Sequence, residues 1–239
     1  AGINVQGPKS RTLLQQVSPA DFSNSAFPFG TSKEIQLGYA TIRASRISYV
    51  GELGWELLIP SDMAAHVYET LVEAGKDLEL TNVGMHAMNS LRIEKAYRHW
   101  GHDIADEDTP IEAGLEFAVR FDKPGGFIGR EALLKQKESG VVEKRIVQFL
   151  MEDPEVMLYH NEPIIRDGTI CGYITSAMYG HTLGGSVGMG YLNNSIERGG
   201  VDAEFVNSGS YEIEVACKRY PAQASLEPLY DPNNERIRM

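Results

Sequence analysis

Apolar positions recur at two different spacings along the chain, and the spacing changes near residue 140. In the first 140 residues, stretches rich in β-branched residues alternate with stretches whose apolar residues repeat at helical spacing. The predicted elements are, in order, a strand near 1–8, a helix over 9–17, strands over 35–48 and 54–60, helices over 61–75 and 84–98, a strand over 115–120 and a helix over 129–137.

After residue 140 the apolar spacing stays near two. Five short strands are predicted, over 145–151, 172–178, 187–192, 203–206 and 211–216. The change over 138–144 predicts a domain boundary. We therefore expect an α+β fold, with a first domain over 1–140 and a small all-β barrel or sandwich over 141–239.

Composition narrows the range of partners and compartments. The formal net charge of −11 disfavours nucleic acid and anionic lipid, because both carry negative charge themselves. Cys171 and Cys217 are too few and too far apart for a disulfide framework or a metal knuckle. No apolar run reaches the roughly 18 residues of a membrane span. A soluble protein of the cytoplasm is expected, or of the mitochondrial matrix if the source is eukaryotic.

Two local patterns could carry chemistry but have simpler interpretations. His99, His102 and Asp103 are metal-ligand types, yet a loop that follows a helix more often forms a hydrogen-bonded corner, so no metal is expected. The glycine-rich stretch 180–190 lies between predicted strands and opens no helix, which favours a turn and a bulged strand over a phosphate loop.

Tyr49 and Glu56 are the more informative pair. Tyr49 is predicted at the end of one strand, and Glu56, seven residues later, on the next strand of a hairpin. A buried carboxylate needs hydrogen-bond donors, and the paired N–H groups of a pterin or purine edge would supply them. From the pattern alone, an exposed glutamate that alternates with buried neighbours is the favoured explanation, and both interpretations stay open.

Five motifs occur in an order that resembles one known family. They are residues 5–9 (Val-Gln-Gly-Pro-Lys), 48–57 (Ser-Tyr-Val-Gly-Glu-Leu-Gly-Trp-Glu-Leu), 89–95 (Asn-Ser-Leu-Arg-Ile-Glu-Lys), 101–104 (Gly-His-Asp-Ile) with 109–115, and 127–133 (Phe-Ile-Gly-Arg-Glu-Ala-Leu). Together they resemble the aminomethyltransferase, or glycine-cleavage T-protein, family. Residues 94–101 and 228–232 are most similar to the folate-binding C-terminal half of dimethylglycine and sarcosine dehydrogenases or oxidases.

The resemblance implies a tetrahydrofolate-dependent enzyme. Such proteins oxidise an N-methyl amine at FAD in an upstream domain, and the one-carbon unit then meets tetrahydrofolate to give 5,10-methylenetetrahydrofolate. The chain carries no flavin fingerprint and begins at the Gln6-Gly7-Pro8 motif, so we expect it to be a fragment whose flavin domain or subunit is elsewhere. The expected partners are folate, the amine-derived one-carbon unit and that flavin domain. The amine itself and the oligomeric state stay open.

Site residues are carried over from the resemblance one at a time. Glu56 matches the family's pterin-binding carboxylate, Tyr49 is the tyrosine seven residues before it, and Tyr230 matches a terminal folate-contacting tyrosine. Met88 stands where relatives have a folate-binding arginine. No catalytic residue is assigned, because the family's catalytic Asp lies upstream of the first motif. Arg46, Arg92 and Arg98 are candidates for holding a polyglutamate tail.

Two alternatives to the flavoenzyme remain. One is a stand-alone glycine-cleavage aminomethyltransferase, which works with a lipoyl carrier protein. The other is a folate-binding module without transferase chemistry, of the kind that assists iron–sulfur cluster assembly. Members of that second group carry a Lys-Gly-Cys motif, whereas the corresponding stretch, residues 123–130, contains no cysteine.

Overall fold

A computed structural model describes all residues, 1–239, and the chain divides into two compact units. Unit 1 comprises Ala1–Met88 and Asn233–Met239, and unit 2 comprises Asn89–Pro232. The elements are β1 (Gly2–Gln6), α1 (Ser10–Val17), β2 (Ser32–Leu37), β3 (Ala40–Ser45), β4 (Gly54–Leu58), α2 (Ala64–Ala74), α3 (Met85–Glu94), α4 (Arg130–Ser139), β5 (Lys144–Met151), β6 (Pro163–Arg166), β7 (Thr169–Gly180), β8 (Gly185–Asn193), α5 (Ala203–Ser208), β9 (Tyr211–Val215), β10 (Lys218–Ser225) and α6 (Glu235–Arg238).

Unit 1 is built on a four-stranded antiparallel sheet in the order β1-β4-β3-β2. Alternation along β4 buries Trp55 and Leu57 on one face, where α1 and α2 also place their apolar residues. Trp55 is fully buried and packs edge-on against Phe22, with ring centroids 5.2 Å apart, and against Phe27 at 6.0 Å. This aromatic cluster fixes the orientation of β4.

Residues 35–48, predicted as one strand, form the hairpin of β2 and β3 instead. The chain reverses at Gly38, whose φ of +57° lies in the left-handed region. A Cβ at this position would lie 2.3 Å from Nε2 of His66, so the turn also needs a residue without a side chain. Helix α3 ends at Glu94 rather than near residue 98, because Ala96 adopts a left-handed φ of 53°.

Unit 2 contains a closed antiparallel barrel of six strands in the order β10-β5-β8-β7-β6-β9. Its core includes Phe149, Ile164, Ile174 and Ile213, all fully buried. The expected α+β class is confirmed, and the choice between barrel and sandwich resolves to a barrel. The domain boundary at 140/141 stays a prediction, since the division into units falls at Met88 and Asn89.

Two element predictions in unit 2 are wrong, and two strands went unpredicted. Residues 203–206 form helix α5 rather than a strand, because the Asp202 carboxylate caps the helix by accepting a hydrogen bond from the Phe205 N–H at 2.7 Å. Residues 115–120 form no strand, and Glu116–Ala118 make a 3₁₀ turn. Strands β6 and β10 were not predicted. None of the helices combines the length and the apolar character that a membrane-spanning helix needs.

Candidate functional site

Glu56 lies at the centre of β4, opposite Asn4 of β1 and Ser45 of β3. Because Trp55 and Leu57 point into the core, strand alternation places Glu56 on the other face of the sheet. The side chain is half-buried there. It is therefore neither a core residue nor a fully solvated one.

The Glu56 carboxylate accepts no hydrogen bond and forms no ion pair within the chain. Partly buried carboxylates normally have hydrogen-bond donors, from protein, water or a ligand. Glu56 is thus an acceptor that is available to a ligand with N–H groups. Paired N–H donors, as on a pteridine edge, suit a carboxylate because two parallel hydrogen bonds can form.

Gln6 lies on the same face as Glu56, opposite Gly54. Its Nε2 donates to the carbonyl oxygen of Ile47 at 3.4 Å, while its Oε1 is buried without a donor. A Cβ on Gly54 would lie 2.1 Å from that Oε1, so glycine at 54 allows Gln6 to cross the strand. Gln6 was not predicted as a site residue, because its place beside Glu56 depends on the pairing of β1 with β4, which a linear pattern does not specify.

Tyr49 lies in the connection between β3 and β4 and is half-buried. Its predicted place at a strand end is wrong, because β3 already ends at Ser45. Two hydrogen bonds fix the connection: the Glu52 N–H donates to Ser48 Oγ at 3.2 Å, and the Gly7 N–H donates to the Leu53 carbonyl at 2.8 Å. Tyr49 and Glu56 thus flank one anchored connection of unit 1.

Tyr230 belongs to unit 2, where it follows β10. Its backbone N–H donates to the carbonyl of Glu94 at 3.4 Å, and the adjacent Asp231 forms an ion pair with the fully buried Lys95 at 3.0 Å. The position of Tyr230 is therefore determined by buried residues of the 89–95 motif. Of the three assigned residues, unit 1 holds two and unit 2 holds this one.

Asp103 forms the hydrogen-bonded corner that the pattern favoured. Its carboxylate pairs with Arg92 at 2.5 Å and accepts hydrogen bonds from the hydroxyls of Thr175 and Ser176, each at 2.5 Å. The backbone N–H of His99 donates to the same carboxylate at 2.8 Å. In the whole structure no group of three His, Cys, Asp or Glu side chains is arranged to hold a metal ion.

The arginines considered for a polyglutamate tail do not form a surface patch. Arg46 is 1% exposed and donates to Asn24 Oδ1 at 2.7 Å, and its burial lowers the pKa of its guanidinium. Arg92 is 2% exposed and paired with Asp103. Arg98 is partly buried and donates to the Ala113 carbonyl at 2.9 Å. Because these guanidinium groups are buried or partly buried, they are not available to a ligand at the surface.

The glycine-rich stretch 180–190 spans the turn between β7 and β8, as expected for a turn. Glu94 fixes this turn from α3, since its Oε1 accepts hydrogen bonds from the N–H groups of Thr182 at 2.7 Å and Leu183 at 2.9 Å. The charged residues of the 89–95 motif thus stabilise the fold of unit 2. They do not form an open binding surface.

Comparison with known proteins gives consistent matches. Residues 1–123 match the GCVT N-terminal domain, and residues 144–231 match the glycine cleavage T-protein C-terminal barrel domain. Over its full length the chain is 45% identical to 4-methylaminobutanoate oxidase (formaldehyde-forming) of Paenarthrobacter nicotinovorans, covering 28% of that protein. Over 99% of its length it is 43% identical to mitochondrial sarcosine dehydrogenase of Homo sapiens, covering 25% of it.

Among solved structures, the glycine cleavage system aminomethyltransferase T of Bartonella henselae has the same fold. The TM-score is 0.79 at 24% identity, over 97% of this chain and 60% of that one. The chain spans about a quarter of the length of the two curated relatives. With both family domains matched along the chain, it belongs to the glycine cleavage T-protein family of folate-dependent aminomethyltransferase domains.

Proposed function

We propose that this chain is the tetrahydrofolate-dependent one-carbon transfer region of a flavoenzyme that oxidises an N-methyl amine of the sarcosine or dimethylglycine type. Its product would be 5,10-methylenetetrahydrofolate. The observation that carries the proposal is the Glu56 carboxylate, which is half-buried on an open sheet face without an internal partner. The names of the relatives, an oxidase and a dehydrogenase of N-methylated amines, support the amine class.

The pterin would lie against β4. Glu56 would accept hydrogen bonds from a ring N–H and the exocyclic amine, and partial burial strengthens such a charge-assisted pair. Tyr49 and Tyr230 would contact the folate by stacking or by donating from the phenol. The residues present therefore fit the pterin by donor and acceptor chemistry.

The reaction needs parts outside these 239 residues. FAD, bound by an upstream domain or a separate subunit, would supply the oxidising chemistry, and the family's catalytic Asp would come from residues before the Gln6-Gly7-Pro8 motif. The chain spans only about a quarter of the length of its relatives, which supports the proposal that other parts of the protein supply FAD and the catalytic Asp. We place the protein in an aqueous compartment, the cytoplasm or, in a eukaryote, the mitochondrial matrix.

The test is isothermal titration of the chain with reduced tetrahydrofolate under anaerobic conditions. Glu56→Gln should weaken binding by about 2–3 kcal/mol, which corresponds to roughly a 30- to 150-fold higher Kd. Its melting temperature without ligand should match the unsubstituted chain, because Glu56 makes no internal hydrogen bond. Glu34→Gln on β2 is the matched control, since it removes the same charge from an exposed position of the same sheet.

Equal loss of affinity in both variants would mean that net charge matters and that Glu56 is not the pterin receptor. A large fall in melting temperature with unchanged affinity would assign Glu56 a structural role. Glycine cleavage on addition of a lipoyl carrier protein would favour the stand-alone aminomethyltransferase. Folate binding by the full-length protein without amine oxidation or transfer would favour the non-catalytic module.

A further inference from the structure

Unit 2 contains a cavity of about 220 Å³ that takes no part in the proposed folate site. It lies between the segment that includes Ile111 and Glu116, the end of α4 at Lys137, Arg145 of β5, and the start of α5 at Ala203. None of the three residues assigned to folate lines it. The cavity is therefore a separate feature that needs its own explanation.

Four charged side chains line the cavity, and three of them are already satisfied. Glu116 pairs with Lys137 at 2.7 Å. Asp202 is engaged in capping α5 through the hydrogen bond from Phe205. Asp202 forms no ion pair but accepts the cap hydrogen bond, so Arg145 is the one cation of the lining that is without a counter-ion.

Arg145 is half-buried and makes a single hydrogen bond, from Nη1 to the Ile111 carbonyl at 2.7 Å. Its other N–H donors have no acceptor within the chain. Burial lowers the pKa of the Arg145 guanidinium, and the negative charges of Glu116 and Glu227 oppose that shift without forming an ion pair. A partly desolvated guanidinium with free donors has the properties of an anion receptor, because a carboxylate can engage two of its N–H groups at once.

One side of the cavity is apolar, and the amide of Gln136, which also lines the cavity, is already bonded to Thr109 and Glu112. Val142 and Val201 are buried, and Ile111 and Leu226 complete this side. Such walls favour a ligand with a short hydrocarbon part and disfavour phosphate or sulfate, which present polar oxygens in every direction. The volume is below that of drug-sized sites, which restricts the ligand to a few carbon atoms.

We propose that this cavity binds a small aliphatic monocarboxylate, with Arg145 holding the carboxylate and the apolar walls covering the hydrocarbon chain. Arg145 is the one cation of the lining that pairs with no carboxylate, and a ligand charge of −1 matches it. The apolar side favours a hydrocarbon part in the ligand. The cavity volume limits that part to a few carbon atoms.

The experiment is a titration of the ¹⁵N-labelled chain with sodium butyrate, followed by amide chemical shifts, against sodium chloride at equal ionic strength. Saturable shifts confined to residues around the cavity are expected. Butyramide, which has the same shape without the charge, should bind at least tenfold more weakly. Arg145→Gln should weaken butyrate binding at least tenfold, whereas Arg219→Gln, the same change at a position on β10 outside the cavity, should alter it less than twofold.

A second variant keeps the test decisive if loss of the Arg145–Ile111 hydrogen bond disturbs folding. Ala203→Leu fills the cavity from the exposed first residue of α5 and removes no hydrogen bond, so it should abolish butyrate binding without changing the melting temperature. Non-saturable shifts, equal binding of butyramide, or undiminished binding by Ala203→Leu would each overturn the proposal.

Discussion

Replacing Asp103 by Asn tests the buried network of unit 2. Asn keeps the size of the side chain and one acceptor for the hydroxyls of Thr175 and Ser176. It removes the negative charge that pairs with Arg92 at 2.5 Å, where both side chains are at most 2% exposed. The substitution therefore leaves a buried guanidinium without its counter-ion.

The expected cost follows from that burial. Removing one partner of a buried ion pair destabilises a protein by about 3–5 kcal/mol, because the remaining charge stays desolvated. An exposed pair gives a contrast in the same unit: Asp122 lies 3.2 Å from Arg120, and both side chains are 77% exposed. Asp122→Asn should change the stability little, because solvent screens such pairs.

Hydrogen exchange of β7 peptides is the suitable assay, since β7 carries Thr175 and Ser176 and reports on unit 2 alone. For amides that exchange through unfolding of this unit, a loss of about 3–5 kcal/mol speeds exchange by roughly two to four orders of magnitude. Arg92→Met combined with Asp103→Asn should lower the free energy of unfolding by less than the sum of the two single changes, because no unpaired buried charge remains in the double variant. Unchanged β7 protection in Asp103→Asn would refute the reasoning.

Three further predictions concern single positions. Gly54→Ala should destabilise unit 1 by about 1–3 kcal/mol through its clash with Gln6, measurable as a lower urea midpoint, and Gln6→Ala should recover part of the loss. Asp202→Ala should cost about 1 kcal/mol by removing the cap of α5, seen as faster exchange of the α5 amides. Burial, followed by the charge of Arg92, lowers the pKa of His99 from 6.5. The stability that neutral His99 contributes is therefore present above pH 6.5 and is lost as the pH falls through the lowered pKa. His99→Gln should flatten the fall in melting temperature between pH 7 and pH 5.

Local pattern predicted the elements whose signals lie within the element itself. The helix over 9–17, the strand over 54–60 and the helix over 129–137 correspond to α1, β4 and α4. Strands β6 and β10 were not predicted, because β6 has only four residues and starts at Pro163, and β10 contains Pro221. Their strand character comes from their neighbours in the closed barrel, and a single segment does not display it.

For the site, the motifs by themselves gave Tyr49, Glu56 and Tyr230, and those assignments stay predictions. The tertiary structure added the surroundings. The pairing of β1 with β4 decides that Asn4 lies opposite Glu56 and that Gln6 shares its face, although about 50 residues of chain separate the two strands. Strand register of this kind depends on long-range contacts, so a linear pattern cannot specify it.

The sequence by itself determined the family motifs, the α+β class and the β-rich second half, because these depend on residue identity and local periodicity. The tertiary structure alone decided which charges are buried. Arg46 and Arg92 resemble surface cations in the sequence, yet each is almost fully enclosed, one among backbone carbonyls and Asn24 and the other against Asp103. Arg145 has the same side chain but remains without a counter-ion in a cavity. The difference arises because the free energy of a charge depends on the solvent and partners that remain around it after folding.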